Sequence, residues 1–339
     1  MLMKFIRFLL FPIAIIYDLV TRVRNYFFDI GIFRHQTFKT PIIVVGNLSV
    51  GGTGKTPQIE YLIRLFKDSF KTAVLSRGYK RKSEGFVLLN KHHSALDVGD
   101  EPLQFFKKFN DINVAVDADR ASGISKLINQ TASDLILLDD AYQHRKVKGS
   151  FYILLTKFDA LFTDDFLLPT GNLRESKLGA NRADVIIVTK CPDTFTEDQK
   201  SSILNKLKKY KKEVFFTSIS YNKKTEGYTT LVVDELANYE ILLITGIANS
   251  KPLLNFLNEK NVNFKHLEYA DHHHFTKKEI TAIKSEFSNI QTSKKMLLTT
   301  EKDYVRLKDS IENISYLGIQ TSFVDRENEF NAIVKRSIQ

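Results

Sequence analysis

Short apolar runs rich in β-branched residues alternate along the chain with longer, partly polar stretches. The runs have the length of buried strands, and the stretches between them are long enough for helices. Strands are predicted at residues 42–46, 72–76, 113–116, 135–138, 151–155 and 185–189. Because strands that alternate with helices form parallel sheets flanked by helices, the pattern predicts an α/β fold.

A second, smaller α/β unit is predicted to begin at residue 240. Its elements are a strand at 241–245, a helix at 252–260 and strands near 264–268 and 296–300. Before it, a helix at 197–209 precedes two extended segments, 214–220 and 227–233, which a polar turn at 222–226 separates. The two segments predict a β-ribbon between the units.

These elements divide the chain into four predicted parts. They are an N-terminal helix at residues 1–30, a core domain with the main parallel sheet at 31–220, a β-ribbon linker at 221–239 and a smaller C-terminal α/β domain at 240–339. The smaller domain is expected to close over a cleft in the core domain, since closure excludes water from a reaction site.

The N-terminal part contains an apolar stretch that charged residues interrupt. Residues 5–20 read FIRFLLFPIAIIYDLV, with Arg7, Pro12 and Asp18 inside the run. A membrane-spanning helix needs about 20 apolar residues, and no small-residue cleavage site of a signal peptide precedes Asn25. Basic and aromatic residues on one helix are typical of a helix that lies at an anionic membrane surface. We therefore predict an amphipathic, membrane-associated helix; a helix packed on the protein's own core is the alternative.

The strand at 42–46 continues into a glycine-rich turn with the sequence SVGGTGKT. Such a turn directs backbone N–H groups at phosphate oxygens, while its lysine reaches the phosphates and its threonine reaches a Mg²⁺ ion. The strict motif would have glycine at the position of Ser49, so the match is to a variant of a P-loop. The predicted nucleotide-binding residues here are Ser49, Val50, Gly51, Gly52, Thr53, Gly54, Lys55 and Thr56, with Lys55 also catalytic and Thr56 a metal ligand.

Two carboxylates follow the apolar strand in the sequence LILLDD at residues 135–140. Ligands of open α/β sheets bind at the carboxyl ends of the strands, where this pair lies. We predict that Asp139 binds Mg²⁺ directly or through water, and that Asp140 shapes or shares the site. A helix cap after the strand is the structural alternative for a single aspartate.

Composition narrows the class of partner without choosing one. The 339 residues are 43% hydrophobic and 26% charged, as in ordinary globular proteins, and the net charge of +10 favours an anionic partner. No recognised nucleic-acid-binding motif accompanies the charge, so no nucleic-acid partner is predicted, and no obligate protein partner is implied. The single cysteine, Cys191, excludes an internal disulfide and is expected to be buried.

Two nucleotide-binding classes are disfavoured by what the chain lacks. Guanine-specific proteins carry an Asn/Thr-Lys-x-Asp signature, and residues 189–193 read TKCPD, which is one residue longer. Membrane-cycling ATPases of the deviant-Walker type have a lysine directly before the paired glycines, where this chain has Val50. A membrane-recruited P-loop ATPase that acts as an interaction switch remains an alternative, and a nucleic-acid-binding ATPase is a weaker one.

Seven further polar motifs follow the P-loop. They are SRGY at 76–79, GDEP at 99–102, DDAYQH at 139–144, GNLRE at 171–175, GIAN at 246–249, DHH at 271–273 and TEKD at 300–303. In this order the chain resembles the tetraacyldisaccharide 4'-kinase family, the lipid A kinases of Gram-negative bacteria, over essentially its whole length. One departure is Ala141, which stands where the family usually has glycine.

The resemblance implies a reaction, its partners and a location. The γ-phosphoryl group of ATP would pass, with Mg²⁺, to the 4'-hydroxyl of a lipid A disaccharide 1-phosphate. The acyl chains keep that substrate in the bilayer, so the enzyme would work at the cytoplasmic face of the bacterial inner membrane, bound to its anionic surface in a peripheral or monotopic manner.

The resemblance also implies roles for single residues. Asp100 corresponds to the proposed catalytic base, His272 to the partner that orients its carboxylate, and Glu175 to a further Mg²⁺ ligand. Asp100 is equally suited to start a helix. Arg77 is expected to contact phosphate and Gln143 to line the same pocket. The three adjacent histidines at 272–274 are not predicted to bind a metal, because adjacent side chains diverge.

Overall fold

Fourteen strands are present in the part of the chain that this computed structural model describes, namely residue 7, residues 9–271 and residues 273–338. In chain order they are β1 Ile42–Asn47, β2 Thr72–Ser76, β3 Val87–Leu88, β4 Asn113–Val116, β5 Leu135–Asp139, β6 Phe151–Lys157, β7 Val185–Thr189, β8 Glu213–Tyr221, β9 Glu226–Gly227, β10 Glu240–Thr245, β11 Asn263–Glu268, β12 Lys295–Thr300, β13 Ile314–Leu317 and β14 Ile319–Phe323.

Helices cover both sheets and connect most of the strands. They are α1 Phe11–Asp29, α2 Lys55–Phe66, α3 Ala95–Val98, α4 Asp100–Lys108, α5 Arg120–Thr131, α6 Glu197–Leu207, α7 Lys251–Glu259, α8 Lys277–Ser288, α9 Glu301–Leu307 and α10 Glu327–Arg336. Short 3₁₀ turns lie at Phe162–Asp164, Lys177–Arg182, Lys208–Tyr210 and Val233–Asn238.

The larger sheet has the strand order β14-β8-β7-β6-β1-β5-β2-β4-β3. Its strands from β8 to β4 run parallel, and the edge strands β14 and β3 run antiparallel to their neighbours. The central strands β1, β2, β5 and β7 are buried along their whole length, which is the burial expected of a parallel sheet with helices on both faces. The predicted α/β fold with a parallel sheet flanked by helices is confirmed.

The smaller sheet has the order β11-β10-β12-β13-β9. Strand β10 is central and pairs in parallel with β11 and β12. The predicted strands at 241–245, 264–268 and 296–300 coincide with β10, β11 and β12 to within one residue at each end. The continuous apolar runs of β10 and β12 correspond to strands with four or more buried residues, whereas β11 at the edge of the sheet has none.

The β-ribbon linker predicted at 221–239 does not form from the two segments that suggested it, 214–220 and 227–233. Strand β8 pairs with β7 in the larger sheet, whereas β9 pairs with β13 in the smaller sheet, so the two extended segments do not pair with each other. Only Gly227 of the second segment lies in a strand, and Val232 forms an isolated antiparallel bridge with Lys224. Alternation of apolar and polar residues indicates an extended segment but not the strand beside which it lies.

The predicted bounds of the C-terminal domain, 240–339, include two elements that belong to the larger sheet. Strand β14 pairs antiparallel with β8, which places it at the edge of the larger sheet. Phe330 and Val334 of α10 are fully buried in the core beneath that sheet. The chain thus returns to the larger sheet after β13, and this return covers the edge of β8, which would otherwise present unpaired backbone groups.

Candidate active site

The P-loop lies between the end of β1 and the start of α2. Gly51 has φ +103° and Gly54, the residue before α2, has φ +85°. Both angles fall in the left-handed region, which L side chains rarely adopt, so the curl of the loop depends on these two glycines. Lys55 and Thr56 then form the first turn of α2, where backbone N–H groups without helical partners face an anion.

Side chains of the neighbouring strands hold the P-loop from behind. The Asn47 amide donates hydrogen bonds to the Ser49 carbonyl oxygen at 2.7 Å and to Thr53 Oγ1 at 2.8 Å. Thr189, at the end of β7, donates from Oγ1 to the Thr53 carbonyl oxygen at 2.8 Å. The Val50 amide donates to the carbonyl oxygen of residue 172 at 2.8 Å. The loop is therefore preorganised rather than free to collapse.

Asp140 contacts two positively charged side chains of the site. Its carboxylate lies 3.6 Å from Lys55 Nζ and accepts two hydrogen bonds from Arg174 Nη1, at 3.0 and 3.1 Å. Burial raises the pKa of Asp140, but the nearby Lys55 and Arg174 outweigh it and hold that pKa below its ordinary value. Asp140 is therefore an ionised partner for Lys55 and Arg174.

Asp139 is a carboxylate with little compensating charge. It is 2% exposed and accepts one hydrogen bond, from Ser76 Oγ at 3.0 Å. Burial raises the pKa of Asp139 to about 7, the charges of Glu101 and Asp140 raise it further, and Lys55 opposes them. A buried carboxylate in this state favours a cation beside it.

The donor set around Asp139 fits Mg²⁺. Among the described residues, no group of three or more His, Cys, Asp and Glu side chains is arranged to hold a metal ion. Mg²⁺ at nucleotide sites uses one or two carboxylates and completes its shell with phosphate oxygens and water. Thr56 belongs to the P-loop and Asp139 ends the neighbouring strand β5, and both remain the predicted protein ligands of a nucleotide-bound Mg²⁺.

Glu175 is buried and already bonded. Its carboxylate accepts hydrogen bonds from Gln143 Nε2 at 3.0 Å, Asn25 Nδ2 at 2.9 Å and Arg182 Nη2 at 2.7 Å. These bonds tie α1, the DDAYQH segment and the turn at 177–182 together. Three donors leave one of the roughly four lone-pair sites of the Glu175 carboxylate open, so its contact with Mg²⁺ stays a prediction.

Gln143 links two parts of the site instead of lining an open pocket. Besides its bond to Glu175, its Nε2 donates to the Asn47 carbonyl oxygen at 2.9 Å. The backbone carbonyl oxygen of Gln143 accepts a hydrogen bond from Arg24 Nη2 at 3.0 Å, which connects Gln143 to α1. The predicted residue thus acts on the P-loop through the end of β1.

Positive charge surrounds His144, beside the carboxylate pair. Burial lowers the pKa of His144 to about 4, and the charges of Arg120 and Arg77 lower it further. Arg77 is exposed, whereas Arg120 is 2% exposed and donates to the Asp117 carbonyl oxygen. The exposed guanidinium of Arg77 adds positive charge near His144, and its contact with phosphate stays a prediction.

Ala141 fits the backbone without strain. The left-handed residue of the DDAYQH segment is Asp140, with φ +48°, and Ala141 is not in that region. Its methyl group is 3% exposed and packs in the apolar core of the sheet. The replacement of the usual glycine is therefore compatible with the local conformation.

Asp100 begins α4, as its sequence context predicted, and it is held by a distant arginine. Arg306 of α9 donates from Nε to Asp100 Oδ1 at 2.9 Å and from Nη2 to Asp100 Oδ2. Gly99 has φ +93° and packs on Gly78, so that a Cβ at Gly99 would lie 3.2 Å from Gly78 Cα. The GDEP and SRGY motifs are thus in contact. His272, its predicted partner, lies outside the described residues.

The remaining motifs meet at the carboxyl edge of the smaller sheet. The Gly246 amide, after β10, donates to Asp303 Oδ2 at 2.8 Å. Lys302 forms an ion pair with Asp271 at 3.0 Å. GIAN, DHH and TEKD therefore belong to one cluster, and Arg306 connects that cluster to Asp100.

Sequence reasoning singled out neither Arg306 nor the pairing of Arg174 with Asp140. Arg306 stands three residues after Asp303, one turn further along α9, so the helical period was the available signal. Its partner is 206 residues away in the chain, and nothing in the local pattern points to that distance. Cys191 is buried as predicted, and burial raises the pKa of its thiol to about 12.

Helix α1 joins the site to a large apolar surface. Tyr17 donates from its hydroxyl to the Arg174 carbonyl oxygen at 2.7 Å. The helix packs through Ala14, Thr21 and Phe28 and exposes Ile13, Ile15, Ile16, Leu19, Val20, Val23 and Tyr26. No helix within the described part of the chain is long and apolar enough to cross a membrane.

Comparisons with known proteins agree on one family. A family model described as tetraacyldisaccharide-1-P 4'-kinase matches residues 6–339. The tetraacyldisaccharide 4'-kinase of Flavobacterium johnsoniae is 48% identical over 342 residues, covering 99% of this chain and 98% of the relative. That of Flavobacterium psychrophilum is 51% identical over 336 residues, covering 97% and 96%.

A solved structure matches the whole fold. The crystal structure of LpxK from Aquifex aeolicus in complex with ATP has a TM-score of 0.81 to this chain at 27% sequence identity. The match covers 98% of this chain and 100% of the other. Both sheets and the connections between them are therefore shared.

Proposed function

The chain belongs to the tetraacyldisaccharide-1-P 4'-kinase family, and from this premise we propose that its P-loop binds ATP and that its site transfers the γ-phosphoryl group to the 4'-hydroxyl of a tetraacyldisaccharide 1-phosphate. The observation that carries the proposal is the left-handed glycine loop that ends in Lys55 at the start of α2. Backbone N–H groups, Lys55 and Arg174 together supply the positive environment that a triphosphate needs.

Nucleotide binding requires an exchange of partners at Asp140. Lys55 and Arg174 contact this carboxylate in the structure, and phosphate oxygens would take its place for at least one of them. Asp140 thereby holds the two side chains ready before the nucleotide arrives.

Thr56 and Asp139 would hold Mg²⁺. When bound, the ion would neutralise the negative charge that develops during transfer. Ser76 and the burial of Asp139 keep that carboxylate in one orientation. Glu175 supports the site from behind through Gln143 and Asn47.

The acceptor hydroxyl must lose a proton to a base. In the step, the sugar oxygen forms a bond to the γ-phosphorus, the bond from that phosphorus to the bridging oxygen of ADP breaks, and the proton passes to the Asp100 carboxylate. The neighbour of Asp100 in the chain, Glu101, already influences Asp139, which supports a position of the base beside the phosphate site. His272 would orient Asp100, as the resemblance implies.

The substrate's acyl chains require the enzyme to work at a membrane surface. The apolar face of α1 continues onto Phe166, which is 55% exposed and contacts Phe11 edge to face, and onto Leu178, which is 57% exposed. An exposed apolar surface of this extent is typical of a membrane contact. We place α1 in the headgroup region of the anionic inner membrane at its cytoplasmic face, where its basic residues favour the lipid.

Transfer of radiolabelled phosphate from ATP to a lipid extract, followed by chromatography, tests the proposal. We expect Lys55→Ala to reduce lipid phosphorylation by roughly a thousandfold, while Lys206→Ala, which alters a surface ion pair with Asp164, retains activity. Undiminished phosphorylation by Lys55→Ala would refute the role of the P-loop. ATP hydrolysis without labelled lipid would instead favour an ATPase that acts as an interaction switch.

A further inference from the structure

Asp100, proposed as the base, is held by Arg306 of α9, the helix that follows β12 of the smaller sheet. Arg306 Nε donates to Asp100 Oδ1 at 2.9 Å, and Nη2 donates to Asp100 Oδ2. Both groups are largely buried, with 6% of the Arg306 side chain and 16% of the Asp100 side chain exposed. A two-point contact between a planar guanidinium and a carboxylate fixes both the position and the rotation of the carboxylate.

Arg306 is itself held in place. Its Nη1 lies 3.4 Å from Asp303 Oδ1, one turn earlier on α9. Asp303 is fully buried and accepts hydrogen bonds from the Gly246 amide at 2.8 Å and from Thr300 Oγ1 at 2.7 Å. The guanidinium is therefore anchored to the carboxyl edge of the smaller sheet, while Asp100 belongs to the helix that covers the larger sheet.

We propose that Arg306 is a positioning residue, which aims the Asp100 carboxylate at the acceptor hydroxyl. The proposal rests on the role of Asp100 as the base. Arg306 touches neither substrate nor nucleotide in this account and acts through Asp100 alone. Its effect should appear in turnover and not in ATP affinity.

The same helix contact contains a second ionic link that does not involve Asp100. Lys108 of α4 contacts Glu60 at 2.7 Å and Glu301 of α9 at 2.8 Å. Its removal would leave buried carboxylates without a counter-charge and would loosen the contact between α4 and α9. Lys108→Met is therefore a matched control, because it weakens the contact without touching the base.

The decisive experiment compares turnover and KM for ATP in Arg306→Lys, Arg306→Met and Lys108→Met. Without the two-point contact from the Arg306 guanidinium the base is misplaced, and a misplacement on the order of 1 Å costs about a hundredfold in rate. We expect a loss of this size in kcat for Arg306→Met. Arg306→Lys should lose roughly tenfold, because lysine keeps the charge but cannot make the two-point contact. KM for ATP should stay near the wild-type value in both variants. Lys108→Met should lower the melting temperature and keep kcat near wild type.

A double-mutant cycle with Asp100→Asn separates positioning from a general loss of structure. If Arg306 acts through Asp100, Arg306→Met should cause no further loss of kcat in the Asp100→Asn background. A further loss as large as in the wild-type background would overturn the proposal, as would equal kcat losses in Arg306→Met and Lys108→Met. If Arg306→Met does not fold, Arg306→Lys decides, and wild-type kcat in that variant overturns the proposal.

The outcomes also separate this proposal from the one on which it rests. Full turnover in Asp100→Asn would show that Asp100 is not the base, and it would refute the role of Arg306 as well. Lost turnover in Asp100→Asn together with wild-type turnover in both Arg306 variants would leave the base in place and refute the positioning role only.

Discussion

Replacement of Asp139 by asparagine should make the protein more stable and inactive. The side chain is 2% exposed, and burial together with Glu101 and Asp140 raises its pKa from 3.8 to about 7. Between these two pH values the unfolded chain has released the proton while the folded chain keeps it. The folded state therefore loses stability as the pH rises through this window, and above pH 7 the full penalty is present.

The size of the penalty follows from the shift. A shift of about 3 pKa units corresponds to about 4 kcal/mol, since one unit is worth about 1.4 kcal/mol. Asparagine keeps the shape of the side chain and can still accept the hydrogen bond from Ser76, so the charge is the main change. For a chain of this length, about 4 kcal/mol corresponds to roughly 5 °C in apparent melting temperature.

The assay is thermal denaturation from pH 5 to pH 8 in EDTA, with and without nucleotide, beside the activity assay. We expect Asp139→Asn to melt about 5 °C above wild type at pH 8 and about 2 °C above it at pH 5, because roughly a third of the pH window lies below pH 5, with little lipid phosphorylation. Asp68→Asn, at an exposed carboxylate, should show no such pH dependence. Equal melting temperatures of wild type and Asp139→Asn at pH 8 would refute the reasoning.

Three further predictions follow from single contacts. Gly46→Ala should destabilise the fold by about 1–3 kcal/mol in denaturant unfolding, because its methyl group would lie 2.6 Å from Tyr142 Cβ; unchanged stability would contradict this. Glu175→Ala should lower stability by about 3 kcal/mol, whereas lost activity at unchanged stability would indicate a direct Mg²⁺ contact. Ile16→Asp should weaken flotation with anionic vesicles, since the side chain is 63% exposed, and unaltered flotation would argue against α1 as the membrane contact.

Local patterns in the sequence were sufficient for the P-loop and for most strands. The loop needs a buried strand, glycines at defined positions and a following helix, and all three are encoded within one short segment. The apolar runs at 72–76, 113–116 and 185–189 coincide with β2, β4 and β7 at both ends, because a strand buried on both faces has a continuous apolar sequence.

Tertiary structure alone decided how these elements combine. The apolar pattern of β14 and α10 indicates burial but not against which sheet, and both joined the larger sheet instead of the nearer one in sequence. The ion pair between Arg306 and Asp100 spans 206 residues, and the donors of Glu175 come from three separate segments. The spacing of apolar residues along the chain predicts which side chains are buried. Which partner each buried side chain contacts depends on the path of the whole chain. The sequence by itself therefore determined the P-loop and the strand that carries it, and the fold determined which side chains contact and neutralise the charged groups around it.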